Sequence, residues 1–239
     1  ARQVCNRNFG IGANGLIVVE KSEQLDYLMR MFNPDGSEAE TCGNGLRCLV
    51  KFLHDGGITH KRDLDLETIV GSVKARLVGN SGTMGYVSVD MREPVFYDAR
   101  YLLIPPQKRK FEGKNIDCVM DHDLDTGSKK YKITFVSIAS PHAIVFVNNV
   151  DIVDLQIEGP LIGEHSYFPE KVNVHFVDMI RSDRIRLRPW ERGDGATLAC
   201  GTGSCAAVVA GVLKGITERK MSVYNPGGVS HRACGRKDQ

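Results

Sequence analysis

The chain has 239 residues, 42% of them apolar and 25% charged, with a net charge of +2. That is the composition of a globular protein with enough chain for a sizeable core, and so small a charge argues against nucleic acid or a membrane surface as partner. No apolar run approaches the ~20 residues that span a bilayer. No signal-peptide pattern is seen, and seven cysteines, an odd number, read as free thiols in a reducing compartment, the cytoplasm. The chain opens on Ala1 rather than Met, so an N-terminal piece, including the first strands, is expected to be missing.

In chain order, Gly10-Ile11-Gly12-Ala13-Asn14-Gly15 has the form G-x-G-x-x-G, but a strand follows it where a dinucleotide site needs a helix. Leu16–Val19 reads as a short buried strand and Asp26–Phe32 as a second, entering the turn Asn33-Pro34-Asp35-Gly36. Leu46, Leu49, Val50 and Leu53 fall on one helical face, and Gly56-Gly57 stops that helix. Strands are expected at Asp65–Val70, Val73–Val78 and Tyr86–Met91. Pro94 to Pro106, stiffened by Pro105-Pro106, reads as the crossing between an N-terminal half, 1–98, and a C-terminal half, 99–239.

Lys108-Arg109-Lys110 is short enough to be a solvated loop. Asp121 to Asp125 hints at a calcium loop, but Thr126 stands where glycine is required and Lys132 where glutamate is, so no metal is expected. Strands follow at Tyr131–Ile138, Ala143–Val147 and Asp183–Leu187. A second helix, Ser204 to Leu213, is apolar all round, which demands burial on every side. A sheet curled around it supplies that burial. Many strands and few helices make the fold class α+β.

The chain also repeats itself 158 residues apart. Cys42-Gly43-Asn44-Gly45 is echoed by Cys200-Gly201-Thr202-Gly203, and Gly57-Ile58-Thr59 by Gly215-Ile216-Thr217. Between 30–62 and 188–220, eight of 33 aligned positions are identical. Two such copies can face each other across a cleft, each offering one thiol. Each Cys-Gly-x-Gly opens a helix, where unpaired N–H groups and a partial positive charge suit a carboxylate and favour thiolate over thiol. A helix-entry turn beside a small buried cysteine is the plainer account of one copy; the duplication favours chemistry. Cys48 and Cys205 fall within the helices and read as core residues, and no C-x-x-C spacing is formed. A Cys42–Cys200 disulfide would be an oxidised, inactive form.

Asn33 and Glu191 occupy equivalent positions in the repeat, so both are expected at the shared site. Arg192 suits bidentate binding of a second carboxylate and Glu191 an ammonium group. His142, in Ser140-Pro141-His142, follows a strand, where sites are often built.

Together Asn33-x-Asp35-Gly36-Ser37-Glu38, Cys42-Gly43-Asn44-Gly45-x-Arg47-Cys48, Glu191-Arg192-Gly193 and Ala199-Cys200-Gly201-Thr202-Gly203 resemble diaminopimelate epimerase, over about Cys5 to Gly228. The resemblance implies two pseudo-symmetric halves, each a curled, mostly antiparallel sheet around a central helix. It implies a cofactor-independent, metal-free isomerase of lysine and peptidoglycan biosynthesis, acting on a small amino acid and compatible with a homodimer. Cys42 and Cys200 would be the proton-transfer residues. Gly43, Asn44, Gly201 and Thr202 would bind the reacting centre, Asn33, Asn173 and Arg192 the distal end, and Glu191 and His142 would tune the thiols.

Four departures bear on that resemblance. Ser140 stands where the family has Asn in Gly-Asn-Pro-His, and Asn14 replaces an Asp. The chain begins after the family's opening Gly-Asn-Asp-Phe segment, and beyond Gly228 it no longer reads as the family's closing strands. A two-cysteine racemase of another amino acid, and a truncated inactive homologue that only binds one, are the alternatives this leaves.

Overall fold

The computed structural model describes residues 1–39, 43–79 and 85–235, and its chain divides into two compact units, Ala1–Arg92 and Glu93–Gln239.

The first unit opens with a single helical turn, α1 (Arg2–Cys5), followed by β1 (Leu16–Glu20), β2 (Tyr27–Phe32) and the short β3 (Glu38–Ala39). Helix α2 (Gly43–Asp55) comes next, then β4 (Asp63–Thr68), β5 (Gly71–Val78) and β6 (Tyr86–Val89). The six strands form one sheet in the order β1-β2-β4-β5-β6, with β3 on β2. Only β2 and β4 run parallel, because α2 carries the chain back between them. Leu46, Leu49, Val50 and Leu53 are all buried in one core with Met29, Leu64, Leu66, Val73 and Ala75, so the helical face read from the sequence is the face that packs. The helix stops as Gly57 enters the left-handed region at φ +64°.

In the second unit β7 (Gln107–Phe111) and β8 (Lys114–Cys118) form a separate hairpin. The basic run Lys108-Arg109-Lys110 is therefore an exposed strand and not the loop expected for it. The larger sheet begins with β9 (His122–Asp125), β10 (Lys130–Ile138) and β11 (Ser140–Phe146). Helix α3 (Leu155–Gly163) leads to β12 (Asn173–Arg181), β13 (Arg184–Glu191) and the short β14 (Gly195–Ala196). Helix α4 (Gly201–Lys214), β15 (Lys220–Asn225) and β16 (Gly228–Ala233) complete it. Its eight strands run β16-β15-β13-β12-β11-β10-β9, with β14 on β13. The pairs β11/β12 and β13/β15 are parallel and the rest antiparallel, each parallel pair bridged by a helix. No residue of α4 is exposed, as its apolar sequence demanded.

Two expectations change. The segment 94–106 is no free crossing: Val95 exchanges backbone hydrogen bonds with Ser137, and Leu102 and Ile104 lie in the second unit's core. Beyond Gly228 the chain does form a closing strand, because β16 pairs with β15 over its whole length. Among the described residues, no helix is long and apolar enough to cross a membrane.

Candidate active site

In the second unit the sheet brings distant parts of the sequence to one end. His142, near the start of β11, is the register partner of Asn173, the first residue of β12. Val174 beside it pairs with Trp190, so Glu191 and Arg192 follow at the same end of β13. Helix α4 begins there with Cys200 as its N-cap. Ser140, His142, Asn173, Glu191, Arg192, Cys200, Gly201 and Thr202 are thus gathered at one end of the second unit's sheet.

Asn33, Gly43 and Asn44 belong to the first unit. Asn33 closes the turn after β2 through hydrogen bonds with Ser37. Gly43 opens α2 in a close fit, since a Cβ there would stand 3.1 Å from Met91 Cε. Asn44 is exposed and accepts a hydrogen bond from Arg47. Cys42 lies outside the described residues.

Cys200 is 5% exposed. Its sulfur accepts from the Gly203 N–H at 3.4 Å and lies 3.5 Å from Thr202 Oγ1. Both contacts favour the thiolate, as a helix start should. Burial opposes them and dominates, and the adjacent Glu191 carboxylate adds to it, so the thiol is pushed up to about 12. The helix start alone favours the thiolate; burial and Glu191 tip the balance of Cys200 toward the thiol. Glu191 is held in place by Thr197, whose hydroxyl donates to it at 2.5 Å.

Arg192 is exposed, and its guanidinium donates to the Glu170 carbonyl at 2.9 Å. Its backbone N–H donates to Asn173 Oδ1 at 2.8 Å. An open groove of about 530 Å³ runs past Glu191 and Arg192, walled also by Glu164, Lys171 and Trp190.

The sequence reading missed His175. It is fully buried, its Nε2 is 2.9 Å from His142 Nδ1, and its ring lies against the first turn of α4. A Cβ on Gly203 would stand 2.1 Å from His175 Cε1, so only glycine fits there. The available signal was strand alternation, which puts His175 on the same face as Asn173 two residues before. Burial holds both histidines neutral, His142 well below its ordinary range and His175 at about 3. Cys48 and Cys205 are not core residues: Cys48 is exposed and Cys205 half-buried, because each stands off the packed stripe of its helix.

The family described as Diaminopimelate epimerase matches residues 1–97 and 134–239. The match runs past Gly228, where the sequence had seemed to depart. Diaminopimelate epimerase of Pelotomaculum thermopropionicum is 42% identical over 94% of this chain and 77% of its own length. That of Methanococcus maripaludis is 42% identical over 94% and 78%. Among solved structures, a probable proline racemase from Agrobacterium radiobacter superposes with a TM-score of 0.65 at 18% identity, covering 96% of this chain and 70% of that one. A hydroxyproline epimerase from Agrobacterium vitis gives 0.63 at 17%, covering 98% and 72%. At such identities these two establish the fold alone.

Proposed function

The chain belongs to the diaminopimelate epimerase family, and on that premise we propose that it converts LL-diaminopimelate to meso-diaminopimelate by cofactor-independent 1,1-proton transfer, serving lysine and peptidoglycan biosynthesis in the cytoplasm. It is an isomerase of amino acids. One observation carries the chemistry: a buried cysteine caps a helix start beside the Glu191 carboxylate.

Cys42, the repeat equivalent of Cys200, removes the α-proton as thiolate. Cys200, held as thiol, delivers its proton to the opposite face of the same carbon. The reverse reaction exchanges the two roles, which is why two like residues suit it. Gly201 and Thr202, in the first turn of α4, and Gly43 and Asn44, in that of α2, offer donors to the substrate carboxylate as negative charge develops on it. One preorganised donor of that kind lowers the barrier by ~3–4 kcal/mol. Asn33, Asn173 and Arg192 read the distal amino-acid end, Ser140 replaces an amide contact with a hydroxyl, and Glu191 and His142 set the proton affinity of the thiols.

The test is incubation with LL-diaminopimelate and a panel of L-amino acids in D₂O. Deuterium at the α-carbon of diaminopimelate alone is expected. Deuterium in another amino acid instead makes the chain a racemase of that substrate, and binding without exchange makes it a binding protein.

A further inference from the structure

Beside Cys200 lies a pair of groups that this reaction does not yet use. His142, His175 and Cys200 are all buried, and one nitrogen of each ring and the sulfur lie within 4.8 Å of one another. The imidazole–imidazole contact of 2.9 Å is a hydrogen-bond distance, shorter than the roughly 3.3 Å between two nitrogens on one tetrahedral zinc. The cluster is built for a proton between the rings rather than a metal.

The far end of the chain of bonds has a fixed direction. The Arg192 N–H fixes Asn173 Oδ1 as acceptor, which turns the amide Nδ2 toward Ser140 Oγ at 3.4 Å. Ser140 Oγ keeps a second lone pair, and the Ile138 carbonyl also lies against His142, so the 3.0 Å contact to His142 Nε2 admits either direction; we take Ser140 as its donor. A neutral His142 accepting at Nε2 carries its proton on Nδ1 and donates it to His175 Nε2. His175, also neutral, is then protonated on Nδ1. That atom is buried with no hydrogen-bond partner. A buried N–H left unpaired is unfavourable unless some state of the protein uses it.

The Cys200 sulfur can use it. When its proton passes to the α-carbon, the sulfur becomes an anion buried beside the Glu191 carboxylate. Gly203 N–H and Thr202 Oγ1 already touch it. The His175 ring lies on the same turn, with Cε1, Nε2 and Nδ1 2.1, 2.3 and 2.8 Å from where a Cβ of Gly203 would be. We propose that His175 is a positioning residue for Cys200: its Nδ1–H is held for the thiolate, and the chain from Asn173 through Ser140 and His142 fixes the tautomer that makes it a donor. This rests on the proposed role of Cys200 as the group that gives up a proton. Among the described residues, the charged and titratable groups around the sulfur are Glu191 from β13, His142 from β11 and His175 from β12, with Arg192 behind the pair.

Three substitutions separate the two ring nitrogens. His175→Asn keeps a donor near the Nδ1 position, His175→Gln keeps only the contact to His142, and His175→Phe keeps neither. The readouts are the rate at which iodoacetamide alkylates Cys200 at pH 8, followed by mass spectrometry of its peptide, and kcat against KM for diaminopimelate. Alkylation and kcat are expected to fall about tenfold in the Gln and Phe variants, the worth of one hydrogen bond to a charged group, with KM little changed and Asn near wild type. Ser140→Ala, which frees the tautomer, is expected to slow alkylation in the same direction and serves if a His175 variant does not fold. Gln matching wild type while Asn fails, or folded variants that all alkylate alike, overturns the proposal. So does one equivalent of Zn²⁺ bound to the wild type with Cys200 protected from alkylation. Wild type that never exchanges the α-proton would sink the epimerase reading, whereas the order of alkylation rates still decides the role of His175.

Discussion

The two helices that follow the repeated Cys-Gly-x-Gly segments hold the same place in the chain and bury themselves differently. Each lies between a strand and its parallel neighbour: β2-α2-β4 in the first unit, β13-α4-β15 in the second. Helix α2 packs one stripe and leaves Phe52 58% exposed, whereas α4 exposes nothing. The cause is the sheet. The first unit's sheet has six strands, and the second unit's larger sheet has eight, of which β10, β11, β12 and β16 all pack on α4. The repeat therefore specifies a path and a cap, and each unit fits its side chains to the sheet it has. Phe52 is answered by Ala210, and Leu53 by Gly211, where a Cβ would stand 2.4 Å from Thr217 Oγ1.

The largest test of the comparison is chemical. If the halves divide one reaction equally, Cys42→Ser and Cys200→Ser each lower epimerisation by about 10²-fold or more, the usual contribution of a positioned acid or base. Both variants should keep wild-type circular dichroism. A Cys42→Ser enzyme at full rate would show that the repeat carries structure in the first unit and chemistry only in the second.

The same aspartate placed at equivalent helix positions separates the two kinds of burial. Ala210→Asp sets an unpaired carboxylate in a fully buried site and should cost about 3 kcal/mol or more in urea unfolding. Phe52→Asp, on the open side of α2, should cost under about 1 kcal/mol. Equal losses would mean that α2 is covered on that side.

How much of this could be read beforehand depended on the kind of signal. Both helices were visible, α2 from the spacing of four residues and α4 from being apolar throughout. The β7–β8 hairpin was not, because its residues are mostly polar and exposed and its turn is Glu112-Gly113, with both residues at positive φ. Asn or Asp at the first of those positions is the recognisable form. Helix α3 was hidden by Pro160 inside it. In the site, the residues expected are those carried by local motifs, and His175, which depends on distant packing, was not among them. Nothing near Val174-His175-Phe176 announces that the ring will rest on Gly203, because strand and helix start are joined only by the fold. The helix-start field on Cys200, which favours thiolate, is likewise a local feature, whereas its burial beside Glu191, which favours the thiol, depends on the fold.

Acid should break the second unit first. His142 and His175 are held neutral in the folded chain, with pKa values below the ordinary 6.5. The unfolded chain therefore takes up protons that the native state refuses, and stability falls as pH drops below about 6.5. The loss is about 2 kcal/mol per histidine between pH 7 and 5, above the range where paired carboxylates such as Asp26 and Asp98, both shifted down, begin to protonate. Hydrogen exchange at pH 5 should show protection lost in 93–235 before 1–79. A His175→Phe chain should lose about half of the slope, and an unchanged slope would mean that the rings are already hydrated in the native state.

The smallest effect concerns two connections that make the same demand on the backbone. Between β4 and β5, Gly71 takes φ +108°; between β10 and β11, Ala139 takes φ +60°, next to Ser140. The left-handed region costs a non-glycine residue ~1–2 kcal/mol, and glycine loses ~0.5–1 kcal/mol through its freer unfolded state. Ala139→Gly should therefore stabilise the chain by about 1 kcal/mol at most, whereas Gly71→Ala destabilises it and also drives its Cβ to 2.7 Å from Arg92 Nη2. A thermal melt reads both. The alanine then acquires a meaning that the glycine lacks. If Ala139→Gly raises the melting temperature but lowers kcat, the strained link is what holds Ser140 and His142 in register for the thiol. If kcat is unchanged, the β10–β11 pairing alone holds them, and Ala139 is strain without a use.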